Sequence, residues 1–393
     1  LRTSPSLGLA AGLILLGACS SGGSNDRFGG SVKLTANHFL FGLIGRPAFP
    51  AFPTTTADLE TVNGRFFLRD DGKYEMRQSN GTLLSQSDYA LESDARLAIA
   101  VPSSGSTLVY RGAYGLRGTT GDVVLTDRVG SGVGVYFGTK LVVGPADLTP
   151  IVGEWHLFTL HAILAPTGSV PDEDLIGVAF GGDLTLAADG SFTGDGTESE
   201  VGTVAIRGAA NDFQALADSR FAIETTFDPP ARPDYERGFS AGGNSRILVG
   251  LDEETGSSDT AAGIALMLKK RTAAYAPADL AGKYRLGLLT VFLRTTAAGI
   301  DASVGELDLQ ANGNFRIDAQ NNQGQDFSYT GTWTGAADGT LLFTVTGTNE
   351  TWQGAFDDAY QTVIFVDNFK ESRTNLQVEL NLGMAIRPPA TTP

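Results

Sequence analysis

Cysteine is almost absent. The 393 residues contain one, so no disulfide can form within the chain and a zinc site built on several thiolates is excluded. Histidine is scarce too, with three in the whole sequence. Charged residues make up 18%, against roughly 25% in an ordinary soluble domain. Basic residues are the rarer kind, 28 Lys and Arg against 44 Asp and Glu, for a formal charge of −16. That balance argues against nucleic acid as a partner, because a phosphate backbone is held by clustered Lys and Arg. Hydrophobic content of 42% supplies cores and rules out wholesale disorder. Fifty glycines punctuate short alternating runs, the pattern of strands and tight turns.

The apolar run Leu7–Leu16, behind Arg2, is too short and glycine-rich for a permanent membrane span and reads as the core of a secretory signal. It ends Leu16-Gly17-Ala18-Cys19, then Ser20-Ser21-Gly22-Gly23-Ser24. These residues resemble a bacterial lipoprotein signal, in which Leu, two small residues and Cys form the lipobox. The resemblance implies cleavage between Ala18 and Cys19, acylation of Cys19 (palmitate among the chains) and, from Ser20, sorting to the outer membrane. Several acyl chains together make anchoring effectively permanent. Residues 1–18 are thus expected to be a signal peptide and 19–31 a Gly/Ser-rich tether.

Three copies of one unit follow. Gly64-Arg65-Phe66-Phe67-Leu68-Arg69-Asp70-Asp71-Gly72-Lys73-Tyr74 recurs as Gly182-Asp183-Leu184-Thr185-Leu186-Ala187-Ala188-Asp189-Gly190-Ser191-Phe192. It recurs again as Gly305-Glu306-Leu307-Asp308-Leu309-Gln310-Ala311-Asn312-Gly313-Asn314-Phe315, copies standing about 120 residues apart. Asp-Gly or Asn-Gly between alternating runs is a strong hairpin signal, since both central residues of a type I′ turn need positive φ. Gly153-Glu154-Trp155-His156-Leu157 matches Gly282-Lys283-Tyr284-Arg285-Leu286, with a weaker cousin at Ala36-Asn37-His38-Phe39-Leu40. Pro145-Ala146-Asp147-Leu148 and Pro277-Ala278-Asp279-Leu280 mark the joints. The expected domains are 32–146, 147–276 and 277–393, the last with a short Pro/Thr tail.

Eight short strands can be counted in the second unit, with nothing helical between them. The expected fold class is all-β, three tandem antiparallel domains, each an eight-stranded up-and-down barrel; the alternative is a β-sandwich. The Gly-x-Trp first strand at Trp155, followed by the Asp189-Gly190 hairpin, resembles the lipocalin and avidin group of small barrels.

Gly238-Phe239-Ser240-Ala241-Gly242 has the form of a hydrolase nucleophile elbow. No histidine follows it, however, and Gly238 matches Gly112 and Gly354 in the repeat. His156 and His161, five apart on one strand, face opposite ways and share no metal. The three histidines read as surface or edge residues and Lys269-Lys270-Arg271 as a solvated strand end. No metal or cofactor is expected. Acidic loops at Asp172-Glu173-Asp174, Asp195 to Glu200 and Asp252-Glu253-Glu254 read as solvated. Phe49 and Phe52, among three prolines, are candidate contacts for a partner. Trp155, Tyr284, Trp333 and Trp352 are core residues or the lining of a cavity.

The functional expectation is a non-enzymatic outer-membrane lipoprotein of the bacterial envelope. It acts as a binding or interaction module toward an envelope or extracellular protein or a glycan, with tandem sites gaining avidity. A lipocalin-like carrier of a small apolar ligand is the alternative, and an envelope hydrolase ranks third. Cys19→Ala is expected to release the protein from membranes, read by fractionation in high salt.

Overall fold

The computed structural model describes residues 32–45, 59–103, 106–116, 121–127, 133–164, 175–199, 202–228, 235–254, 260–294, 297–348, 350–367 and 378–389. The signal, the tether, Phe49, Phe52 and Asp172-Glu173-Asp174 lie outside these residues. The first barrel comprises β1 (Ala36–Gly45), β2 (Leu59–Leu68), β3 (Lys73–Gln78), β4 (Leu83–Leu91), β5 (Arg96–Ser103), β6 (Ser106–Tyr114), β7 (Val123–Asp127) and β8 (Val133–Lys140). The middle sheet comprises β9 (Gly153–Leu164), β10 (Leu175–Leu186), β11 (Phe192–Glu198), β12 (Gly202–Gly208), β13 (Phe213–Leu216), β14 (Arg220–Asp228), β15 (Tyr235–Gly243), β16 (Ile247–Glu254) and β17 (Thr260–Lys269). The third barrel comprises β18 (Gly282–Arg294), β19 (Ala297–Leu309), β20 (Asn314–Asn321), β21 (Asp326–Gly335), β22 (Thr340–Val345), β23 (Thr351–Phe356), β24 (Thr362–Val366) and β25 (Val378–Ile386).

The first and third are closed eight-stranded antiparallel barrels in sequence order. The middle one is a curled sheet of nine strands, one more than the sequence pattern predicts. Its fourth-strand equivalent is broken: β12 and β13 both pair with β14, but Ala209–Asp212 interrupts them, with Asn211 at φ 70°. The four residues of β13 are too few to register as a strand in the pattern.

Registers confirm the repeat from two directions. His38 pairs with Phe66, Trp155 with Leu184 and Tyr284 with Leu307, so the weaker cousin at His38 is the true equivalent of the tryptophan. The glycine equivalence fails in one copy. Gly112 opposes Leu125 and Gly354 opposes Phe365, but the residue at that register in the middle sheet is Ala241, opposite Gly250. Gly238 sits three residues off. The G-x-S-x-G segment is extended strand throughout, Ser240 pairing with Ala222 and Leu251, and makes no strand-to-helix elbow.

Each sheet encloses its own core, and a fourth core lies between them. Phe39, Phe41 and Leu43 of β1 meet Phe158 and Leu160 of β9, Ile247 and Val249 of β16, and Leu380, Leu382 and Met384 of β25, all buried in one cluster. The first, last and penultimate strands of each unit therefore bury both faces, which explains unbroken apolar runs such as Val133–Phe137 in place of alternation. Glycines permit the approach. A Cβ on Gly242 would strike the Phe39 ring, one on Gly177 Val291, and one on Gly287 Val124, each in a different unit. The three units form one packed body rather than independent beads.

We call the end at which β1, β9 and β18 begin the base, and the other the mouth. At the base, Arg246 of the middle unit donates through Nη2 to Asp122 of the first and through Nη1 to Asp357 of the third, the latter at 3.0 Å. Thr362 Oγ1 donates to Asp122 at 2.6 Å, and Thr139 Oγ1 donates to its other oxygen at 3.1 Å. Both carboxylates are buried. A ring of ion pairs surrounds this centre. The turn before the fifth-strand equivalent carries an aspartate in every unit: Asp94, Asp218 and Asp338. Arg65 of the first unit pairs with Asp218 of the second at 3.0 Å. Lys270 and His156 of the second reach Asp338 of the third, the histidine at its carbonyl, 3.1 Å. Arg285 of the third returns to Asp94 of the first at 2.9 Å. Half-exposed pairs of this kind contribute modest stability; their cyclic order fixes orientation.

Arg246→Met strands two buried carboxylates, and a loss of about 3–5 kcal/mol is expected. Adding Asp122→Asn and Asp357→Asn should recover much of it, as read by urea unfolding of the three proteins.

Candidate functional site

The barrel interiors differ. At the base each is plugged by the repeat's aromatic position. Trp155 Nε1 donates to the Ile151 carbonyl at 2.7 Å and Tyr284 Oη to the Leu280 carbonyl at 2.7 Å, both four residues back. His38 takes the same place with Nδ1 3.1 Å from the Phe66 carbonyl and Nε2 3.0 Å from the Tyr114 hydroxyl. A carbonyl only accepts, so Nδ1 carries a hydrogen, and in the neutral ring Nε2 then accepts from the Tyr114 hydroxyl. Burial, with no compensating carboxylate in hydrogen-bond contact, pushes the His38 pKa down to about 4.

Above the plugs, rings fill the first and third barrels. Tyr110 stacks on Tyr136 at 5.5 Å in the first, and Trp352 on Phe365 at 5.6 Å in the third. The middle sheet instead holds an apolar hollow of about 30 Å³, lined by Leu157, Phe192, Phe213, Leu248 and Met267 among others. Every lining group is apolar, so water finds no partners there.

Toward its mouth the third barrel turns polar. Thr290, Asp301 and Asn381 stand side by side on three adjacent strands, and Thr290 Oγ1 donates to Asn381 at 2.7 Å. Tyr329 Oη donates to Glu379 at 2.8 Å. Burial pushes Asp301 up to about 6, against hydrogen bonds from the Ala302 and Asn322 amides and with Glu379 adding repulsion. Among the described residues no grouping of three His, Cys, Asp or Glu side chains could hold a metal ion.

Trp155, Tyr284, Trp333 and Trp352 are all buried in unit cores. Tyr284, Trp333 and Trp352 share the core of the third unit, and Trp155 stands apart in that of the middle one. The histidines are not surface or edge residues: His38 is buried in the first barrel, His161 in the middle sheet, and His156 at the seam of the second and third units. There its Nδ1 hydrogen-bonds Asp183 at 2.8 Å, and Lys270 reaches the same carboxylate at 2.7 Å. Burial pushes Asp183 up, but those two partners outweigh it and hold the carboxyl below its usual range. Lys269-Lys270-Arg271 is likewise not a solvated strand end. Arg271, 5% exposed, lies against the stacked Phe356 and Tyr360 rings, its guanidinium carbon 4.7 and 4.5 Å from their centres. A basic run beside a domain joint was the available signal. Its partners are distant in sequence, Trp155 and Asp183 earlier in the same unit and Asp338, Phe356 and Tyr360 in the next, which spacing alone does not reveal.

No family model matches the chain, and no curated protein does. Among solved structures, a double mutant of transferrin-binding protein B from Haemophilus parasuis matches with 9% identity and a TM-score of 0.31, covering 90% of this chain and 76% of that one. Transferrin-binding protein B from serogroup B Neisseria meningitidis matches with 10% identity and a TM-score of 0.28, covering 91% and 77%. A DUF3598-family protein of unknown function from Nostoc punctiforme matches with 13% identity and a TM-score of 0.23, covering 61% and 97%. Likeness at this level says nothing of what this chain binds.

His38 and Asp301 act oppositely on stability. Between pH 6.5 and 4 the unfolded chain protonates His38 while the folded one does not, so this group lowers stability as pH falls, by about 3 kcal/mol in all. Between pH 6 and 3.8 the folded chain holds the Asp301 proton that the unfolded chain releases, so that group raises stability as pH falls. Asp301→Asn removes the second slope. The variant is expected to lose stability more steeply than the parent from pH 6 to 4, followed by urea midpoints.

Proposed function

We propose that the chain is a non-enzymatic lipoprotein of the bacterial outer membrane, tethered through acylated Cys19 and binding an envelope or extracellular protein with the mouths of its three units. The observation that carries this reading is where the chain enters the fold. Val32 N donates to the Leu91 carbonyl at 3.0 Å and Leu34 N to the Tyr89 hydroxyl at 3.1 Å, both at the base, where β1 begins. A lipid on Cys19 therefore pulls the base toward the membrane and turns the mouths away from it.

The two ends suit those roles. Base turns are short and built on Asp-Gly or Asn-Gly, as at Asp71-Gly72, Asp189-Gly190 and Asn312-Gly313. The segments joining strands at the mouth include 46–58, 165–174, 229–234 and 368–377, long enough to carry recognition. Phe49 and Phe52 belong to the first of them. The shared core holds the three mouths in one fixed arrangement, so they act as a single composite face. Avidity between freely linked sites is then unnecessary. The carrier reading is less favoured, because a ligand of ordinary size needs several hundred Å³.

Photo-crosslinking residues placed in living cells test the orientation. Asn80 and Gln323 lie exposed in mouth turns, Asp71 and Asn312 exposed in base turns. Discrete protein adducts are expected from the mouth positions and none from the base. Adducts from the base alone, or from neither end, would overturn the proposal.

A further inference from the structure

The hollow in the middle sheet has a structural explanation in the repeat. Leu40, Leu157 and Leu286 occupy one interior position, two residues beyond the plugs. They pair with Gly138, Met267 and Ala385 on the last strands. One interior layer further toward the mouth, the last strands carry Tyr136, Ala265 and Gly383. These pair with Leu125, Gly250 and Phe365 on the penultimate strands. Those in turn oppose Gly112, Ala241 and Gly354.

This layer thus holds Leu125 and Tyr136 in the first barrel and Phe365 in the third. Each ring lies over a glycine that leaves room for it, Tyr136 over Gly42 and Phe365 over Gly383. In the middle sheet the same three positions are Ala241, Gly250 and Ala265, and all three line the hollow. The space is the place of one aromatic ring that two units supply from their own sequence and the third does not.

We infer that the middle sheet binds a small apolar molecule in that place, of the size class of a single hydrocarbon ring. The wall carries no polar group to satisfy water, and hydrophobic burial is the whole of the attraction. Met267, unbranched and adaptable, is the wall residue able to shift as a ring enters. Ile206 of β12, Phe213 of β13 and Ile223 of β14 also line the hollow, beside the interruption at Ala209–Asp212. That seam, closed by three residue pairs on one side and four on the other, is the route of entry. The inference rests on the interior of one unit and is independent of what the mouths recognise.

Benzene is the probe, added to the full chain without its signal. The melting temperature is expected to rise with benzene concentration, and titration calorimetry to give one site per chain. Ala265→Leu and Ala241→Leu each extend an aliphatic side chain into the hollow and are expected to abolish the rise while keeping the circular dichroism of the parent. Two variants are used so that misfolding of one leaves the other to decide. An unchanged melting temperature in the parent at saturating benzene would overturn the inference. So would an undiminished rise in a folded filled variant, which would put the benzene elsewhere.

Discussion

The arrangement of this protein depends on Arg246 standing between two carboxylates that belong to other parts of the chain. Asp122 and Asp357 are each sealed from solvent and each needs a counter-charge, because a lone buried charge is severely unfavourable. The middle unit supplies a guanidinium, that of Arg246, which reaches both. The buried apolar strands above this centre are non-directional in their attraction; the charged base determines which faces meet. Removing the apolar seam would leave the barrels closed but apart, whereas removing the arginine leaves the seam without its specification.

Much of the fold could be read from the residues. Hairpin signals at Asp71-Gly72, Asp189-Gly190 and Asn312-Gly313 located the repeat, and alternation identified an all-β chain. What escaped was long-range. The continuous apolar runs Val133–Phe137 and Ile264–Leu268 were visible as strand ends. A strand apolar on both faces has two neighbours, and a single barrel offers only one interior. Read that way, the runs announce a second burial surface. The aspartates 94, 218 and 338 recur as regularly as the glycines, but a solitary acid in a turn has a local explanation and attracts no notice. Weighed only as a metal ligand or acid–base group, His38 reads as a surface or edge residue; buried and neutral it is a flat ring with one donor, which is what that position uses.

The candidate sites followed a different logic. Trp155, Tyr284, Trp333 and Trp352 were selectable as large aromatics, and all four fill unit cores, three of them the same one, so large size marked packing. The position that distinguishes the middle unit is marked by small residues, Ala241, Gly250 and Ala265. These are uninformative in isolation, because alanine and glycine are common in strands that approach others closely. Only alignment by hydrogen-bond register, against Tyr136 and Phe365, shows them to be the absence of something. A hollow is a comparative property, and a sequence read one window at a time has nothing to compare.

The cyclic pairing of Arg65 with Asp218, Lys270 with Asp338 and Arg285 with Asp94 is head-to-tail: each unit presents a cation on one flank and an aspartate on the other. Contacts of this heterologous kind close into a ring only when the rotation between neighbours divides the circle evenly, and here three units complete it. Three identical subunits could build such a ring, but symmetry would oblige every one to carry the same interior, hollow or filled. Joined in one polypeptide, the positions around the axis are free to differ. One arginine can serve two carboxylates at the centre, where a symmetric trimer would crowd three like charges together, and one unit can remain unfilled while its neighbours are solid. Covalent linkage thus keeps the geometry of a trimer while releasing its members from equivalence.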